Sequence, residues 1–339
     1  MEKKINFAVV GMGYIGKRHA EIILQHPRTN LAAICDIKDP STLGLENTAA
    51  PFFGSVDALL SSGIETDVVC IATPNGLHAP QALLALDAGN HVLIEKPLAL
   101  SKADCEQIIA KANQKGSKVF CVMQNRFSPP AVWLKETVSS GILGKIFMVQ
   151  VNCYWNRDDR YYKPAGWKGT ADLDGGTLFT QFSHFIDILS LLFGDIKNIK
   201  ATFRDFNHSH STEFEDSGVI HFDFVNGGMG SINYSTAVWD KNLESSITVV
   251  AENGSVKIGG QYMNEVEYCH IKDHKMPVLA GTNPANDYGH YRGSADNHGK
   301  VFENLINVLD GKEAIQTNAE GAMMVVDIIE RIYKLKVQP

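Results

Sequence analysis

The chain has 339 residues, 44% of them hydrophobic and 20% charged, with a formal net charge of −7; that length calls for two domains, and the composition is that of an ordinary globular protein. No block of Lys and Arg stands out, which argues against nucleic-acid backbone binding, and no apolar run reaches membrane-spanning length. The six cysteines are scattered without CxxC spacing and the first residues lead straight into a strand, so we expect no structural zinc or other metal, no membrane partner and a cytoplasmic location.

Ile5 to Val10 is an apolar strand, followed at once by Gly11-Met12-Gly13-Tyr14-Ile15-Gly16 and by an amphipathic segment from Lys17 to Gln25. A second strand, Leu31 to Asp36, ends in an acid twenty residues after Gly16. In this strand–helix setting the GxGxxG pattern is specific for a dinucleotide. Gly11 permits the tight turn, Gly13 lets backbone approach a pyrophosphate, and Gly16 lets helix and strand pack closely. Gly11, Gly13, Tyr14, Ile15 and Gly16 are therefore candidates to hold the diphosphate, with help from the helix N-terminus. The Asp36 carboxylate suits a ribose diol and repels a 2′-phosphate, so the expected cofactor is NAD.

Alternation continues through Phe52-Phe53, a helix from Ser55 to Ser62 capped by Ser55, a strand from Asp67 to Ala72, and a helix from His78 to Ala88. The strand His91 to Ile94 delivers Glu95-Lys96-Pro97; a helix from Ser101 to Lys115 and a strand from Val119 to Val122 follow. This rhythm predicts a Rossmann-type, doubly wound parallel sheet over residues 1–123. Thr73-Pro74-Asn75 and Glu95-Lys96-Pro97 lie at its carboxyl edge, where ligands collect. Thr73, Pro74, Asn75, His78, Glu95 and Lys96 thus join the cofactor candidates, together with Gln124 and Trp167.

The pattern changes past Gln124. A helix from Pro129 to Val138 leads to strands at 146–154, 197–206, 214–224, 229–237, 245–251, 254–258 and 264–270, interrupted by one long helix from about Gly175 to Phe193. Short Gly/Asn turns between strands imply a C-terminal α+β domain, residues 124–339, with a large, mainly antiparallel open sheet. Closing helices are expected near 294–310 and 319–335, and Asn283 to His298 reads as a loop. One face of the sheet is expected to meet another copy of the chain, giving a dimer or tetramer.

Two stretches in this region carry chemistry. Asn152 to Gly169 sets Arg157, Arg160, Lys163 and Lys168 among aromatics, a composition suited to an anionic ligand. In the long helix Asp174 is placed as the cap, and Gly175 and Gly176 leave room for an approaching ligand. Thr177, Gln181 and His184 share one face at helical spacing. The substrate candidates are Lys96, Arg126, Tyr154, Arg157, Tyr162, Lys163, Lys168, Thr177, Gln181 and His184.

Together the glycine turn, Asp36, Thr73-Pro74-Asn75, Glu95-Lys96-Pro97 and the helix ending His184-Phe185-Ile186-Asp187 resemble the Gfo/Idh/MocA oxidoreductase family, over nearly the whole chain. The resemblance implies that Lys96 and His184 are catalytic and border the reacting carbon, and that the Lys96–Pro97 peptide is cis. The aspartate usual in the family one turn before the histidine is Thr180 here. Asn152 to Gly169 and the segments after it look most like the branch of NAD-dependent UDP-N-acetylglucosaminuronate (UDP-GlcNAcA) 3-dehydrogenases of bacterial surface-polysaccharide (O-antigen, lipopolysaccharide) synthesis. That likeness implies a nucleotide-sugar substrate oxidised at C3, with 2-oxoglutarate as a possible reoxidant of NAD kept in place. Two alternatives stay open: a dehydrogenase of a free polyol or sugar such as an inositol, and a non-catalytic NAD-binding protein of the same fold.

Overall fold

A computed structural model describes residues 3–44, 48–164, 166–289 and 291–336. The chain forms two compact units, residues 1–123 with 298–326, and residues 124–297 with 327–339.

The first unit is built from β1 (Ile5–Val10), α1 (Tyr14–Gln25), β2 (Thr29–Cys35), β3 (Phe52–Phe53), α2 (Val56–Leu60), β4 (Val68–Ile71), α3 (His78–Asp87), β5 (His91–Ile94), α4 (Lys102–Lys115) and β6 (Val119–Cys121). The strands form one parallel sheet in the order β3-β2-β1-β4-β5-β6. Its central strands lack polar alternation because helices cover both faces, and every residue of β4 is buried. Ser55 caps α2 as expected, accepting from the Ala58 N–H, and Ser101 caps α4, accepting from the Asp104 N–H. The order turns back between β1 and β4, which places the glycine turn at the switch point where such sheets bind ligands.

The second unit contains α5 (Pro129–Ser139), β7 (Ile146–Tyr154), a π-helical turn Leu178–Phe182 running into α6 (Ser183–Phe193), β8 (Ile196–Arg204), β9 (Ser217–Phe224), β10 (Met229–Ser235), β11 (Glu244–Ala251), β12 (Gly254–Gly259) and β13 (Glu265–Ile271). The seven strands lie in the order β13-β12-β11-β7-β10-β9-β8. All neighbours are antiparallel except β7 and β10. Alternation along β7 buries Val149, Val151 and Cys153, and the next residue on that face, Trp155, meets Phe182 and Phe185 edge-on at 5.5 and 5.7 Å. The opposite face carries Met148, Met229 and Val250 side by side, 42%, 50% and 40% exposed.

Residues 283–298 are not an irregular loop throughout: β14 (Ala285–Asp287) and β15 (Arg292–Ala295) pair within them. The helix near 298, α7 (His298–Leu309), belongs to the first unit and not to the second region of the linear division. Its Phe302 packs on Phe7 and on the His19 ring, at 5.8 and 5.2 Å, and Arg28 clamps Asp310 through two 2.9 Å bonds. The last helix is α8 (Ala319–Tyr333). All six cysteines are free thiols, five of them buried and Cys269 on β13 half-buried. Among the described residues no helix is long and apolar enough to cross a membrane.

Candidate active site

The glycine turn has the shape its sequence demands. Gly11 has φ +87°, and a Cβ there would lie 2.7 Å from the Ala72 carbonyl oxygen; a Cβ on Gly16 would lie 1.7 Å from that of Gly11. Gly13 has no atom within 4 Å of where its Cβ would be, and it opens α1 with neither a side-chain cap nor an acid in the first turn. Open space in front of an uncompensated helix N-terminus fits a diphosphate. Tyr14 and Ile15 form the first turn of α1, which starts three residues earlier than periodicity predicts because Gly13 itself precedes it. Asp36 accepts the Met12 N–H at 2.6 Å and the Lys38 N–H at 2.9 Å, so β2 and the glycine turn are tied by the carboxylate expected at the ribose.

At the carboxyl edge, Thr73 donates to Gln81 at 2.7 Å beside half-buried Pro74 and buried Asn75. His78 is fully buried: Nδ1 lies 2.7 Å from the Pro97 carbonyl oxygen and Nε2 3.0 Å from that of Thr73. It has no surface for a dinucleotide and acts instead as a brace between the two turns. Burial pushes this imidazole below its ordinary range despite both carbonyls. Glu95 is anchored by buried neighbours. One of its oxygens lies 3.0 Å from His19 Nε2 and 3.9 Å from His298 Nε2, and the other accepts the Lys96 N–H at 3.3 Å. Burial would raise this carboxyl, but His19, His298 and Lys96 outweigh it and hold it at about 2. Neither histidine was identified from sequence; each becomes meaningful only when α1 and α7 pack beside β5. Lys96 itself is half-buried just past β5, and its peptide to Pro97 is cis.

In the second unit the expected long helix is interrupted. The π turn adds a residue between Thr177 and His184, so the simple helical stripe does not hold. Thr177 points inward and donates to the Glu215 carbonyl at 2.6 Å. Gln181 accepts from Arg157 Nε and donates to the Tyr161 hydroxyl, both at 2.7 Å. His184 is 5% exposed. Asp174 is not a helix cap: it accepts the Gly169 N–H at 2.8 Å and the Thr180 hydroxyl, pinning the basic stretch to the π turn. Gly176, at φ +123°, makes room for protein and not for ligand, since a Cβ there would lie 2.6 Å from the Tyr333 hydroxyl. That hydroxyl accepts the Leu178 N–H at 2.9 Å and donates to Glu215 at 2.8 Å.

The basic stretch is less open than its composition predicts. Arg157 is 2% exposed, sits 4.7 Å over Trp155 and 5.1 Å over Tyr161 and Tyr291, and is an internal strut. Arg160 pairs with Asp158 at 2.7 Å. Tyr162 is buried against Phe214 and His208. Arg126 is spent on Asp187, at 2.5 to 3.1 Å, and the Gln124 side chain accepts the Asn297 N–H at 2.8 Å. Tyr154 leaves β7 on the face opposite Trp155, away from the α6 side. Lys163 is exposed, and Trp167 and Lys168 are half-buried, with the Lys168 ammonium 3.7 Å over Tyr161. Beneath Arg157 lies a grouping that the sequence did not announce. His208 Nε2 meets the Arg157 carbonyl and Nδ1 lies 3.1 Å from Asp216, which also accepts the N–H groups of Phe206 and Asn207.

Comparison with known proteins places these features. Residues 5–123 match the description "Oxidoreductase family, NAD-binding Rossmann fold", and residues 132–257 match the GFO/IDH/MocA C-terminal domain. The fold is similar to that of the WlbA dehydrogenase from Bordetella pertussis in complex with NADH and UDP-GlcNAcA, at 32% identity and TM-score 0.85, covering 98% of this chain and 96% of that one. The WlbA dehydrogenase from Chromobacterium violaceum, in complex with the same two molecules, gives 30% identity and TM-score 0.87 over 99% and 94%. In sequence the chain is 31% identical over 236 residues to 1-carboxy-3-chloro-3,4-dihydroxycyclohexa-1,5-diene dehydrogenase of Comamonas testosteroni, covering 68% of this chain and 58% of that protein.

Proposed function

The chain belongs to the GFO/IDH/MocA family of NAD-binding oxidoreductases, and on that premise we propose that it oxidises the C3 hydroxyl of UDP-GlcNAcA to the 3-keto sugar. The dehydrogenase class follows from the family; the sugar and its carbon are our reading. The observation that carries it is the near full-length likeness to two dehydrogenases crystallised with NADH and that nucleotide sugar.

Bound NAD supplies the acceptor for the hydride leaving C3. The glycine turn and Asp36 hold the dinucleotide. Lys96 and His184 share the proton chemistry at the C3 hydroxyl: the Lys96 ammonium donates to the oxygen and stabilises the developing alkoxide while the proton passes to the neutral His184 imidazole. Exposed Lys163 and half-buried Lys168 are assigned to substrate phosphate or carboxylate, since Arg126 and Arg157 are engaged inside the protein. The test is the absorbance of NADH near 340 nm after adding UDP-GlcNAcA, UDP-GlcNAc or an inositol to protein with NAD. A rise with UDP-GlcNAcA alone is expected; a rise with the inositol and none with either nucleotide sugar would overturn the substrate assignment.

A further inference from the structure

Arg157 is a buried cation whose guanidinium, among the described residues, meets only neutral acceptors: Gln181 Oε1 at 2.7 Å, the carbonyls of Asn156 and Arg292 at 2.6 and 3.1 Å, and Asn242 Oδ1 at 3.3 Å. Hydrogen-bond direction then propagates outward. Arg157 Nε can only donate, so the Gln181 atom it touches is the carbonyl oxygen, and the Gln181 amide must donate onward to the Tyr161 oxygen at 2.7 Å. The Tyr161 proton is thereby turned away from Gln181, and it has no acceptor among the described residues. The phenol is only 7% exposed, and burial pushes its ionisation well above the ordinary range, so the proton stays on oxygen. Buried phenols normally find an acceptor.

The surroundings favour a negative one. The Lys168 ammonium lies 3.7 Å over the same ring and donates to the Tyr291 hydroxyl at 3.2 Å, adding a second positive charge. The carboxylate with most influence on the phenol, Asp174, is committed to the Gly169 N–H and the Thr180 hydroxyl. Each donor in the series Arg157, Gln181, Tyr161 is polarised by the one behind it. We infer that Tyr161 is a substrate-binding donor, its O–H directed at an anionic oxygen of the ligand, either uronate carboxylate or diphosphate. This rests on the nucleotide-sugar reading above.

Tyr161→Phe deletes the proton and keeps the ring against Tyr162, Tyr291 and Lys168. Titration calorimetry with UDP-GlcNAcA, UDP, glucuronate and pyrophosphate, each with NAD present, should show binding weakened by about tenfold or more, with KM raised. NAD affinity should not move, while the unfolding midpoint should fall modestly because the Gln181 amide loses its acceptor. Weakening with UDP and pyrophosphate assigns the contact to the diphosphate, and weakening with glucuronate assigns it to the carboxylate. Unchanged binding of UDP-GlcNAcA by Tyr161→Phe overturns the inference while leaving the substrate reading intact. If the wild type fails to bind UDP-GlcNAcA, the substrate reading falls instead. The inference then survives only if the wild type binds pyrophosphate or glucuronate and the variant loses it.

Discussion

Lys96 is held through its neighbours: Glu95 takes its N–H, and His78 holds the carbonyl of the residue after it. The ammonium is therefore carried on a stiff turn, and its loss should remove chemistry without dismantling the cofactor cradle. Lys96→Met should keep NAD affinity while kcat falls by about two orders of magnitude or more. Stopped-flow turnover within roughly tenfold of wild type would take Lys96 out of the proton step. A second residue-scale expectation concerns His208. Burial disfavours its cation, but Asp216, the Arg157 carbonyl and Asp205 together raise its pKa above the ordinary 6.5. A raised folded value means that its stabilising contribution is complete below about 6.5, the unfolded value, and is lost as pH climbs through the folded one. The unfolding midpoint of His208→Asn should accordingly lag wild type most in mild acid and converge on it at alkaline pH. A gap that widens with rising pH would refute the charged bridge. At this scale the sequence exposed residue type but not commitment. Arg157, Arg126 and Thr177 have the chemistry of ligand contacts, and only the fold reveals that other protein groups already occupy them.

The strands and most helices were legible because their signals are local: uninterrupted apolar runs for β1, β4 and β5, alternation for β7, and Ser caps for α2 and α4. The π turn before α6 was not, because its start is held by Tyr333, more than a hundred residues away. A helical period contains no trace of a contact that distant. The glycine turn separates two kinds of requirement within one motif. Gly16→Ala forces a Cβ to 1.7 Å from backbone and should cost the fold, seen as lost soluble protein or a much lowered unfolding midpoint. Gly13→Ala meets nothing in the protein, so it should fold normally yet bind NAD at least about tenfold more weakly. Equal NAD affinity in Gly13→Ala would mean that the diphosphate lies elsewhere.

For the molecule as a whole, the bare face of the seven-stranded sheet is the feature that a single copy does not explain. Met148 stands in register with Met229 on one side and Val250 on the other, three apolar side chains across adjacent strands. A large sheet face of this kind is ordinarily covered. We therefore expect a second copy to lie on it, and Met148→Lys should shift the sedimentation coefficient toward a smaller species. An unchanged sedimentation profile would move the contact to another surface. The division into sheets was readable from the chain, whereas the return of α7 to the first unit was not. That return depends on Phe302 finding Phe7, a partner chosen by three-dimensional packing.

The thiols bear on how such experiments are done. Burial lifts Cys70 and Cys153 far from ionisation and holds Cys35 at about 11, while Cys269 sits half-open on an outermost strand. A maleimide dye should therefore mark the native protein at one address, with no engineered residue. Energy transfer between marked copies would then follow self-association at concentrations too dilute for the ultracentrifuge.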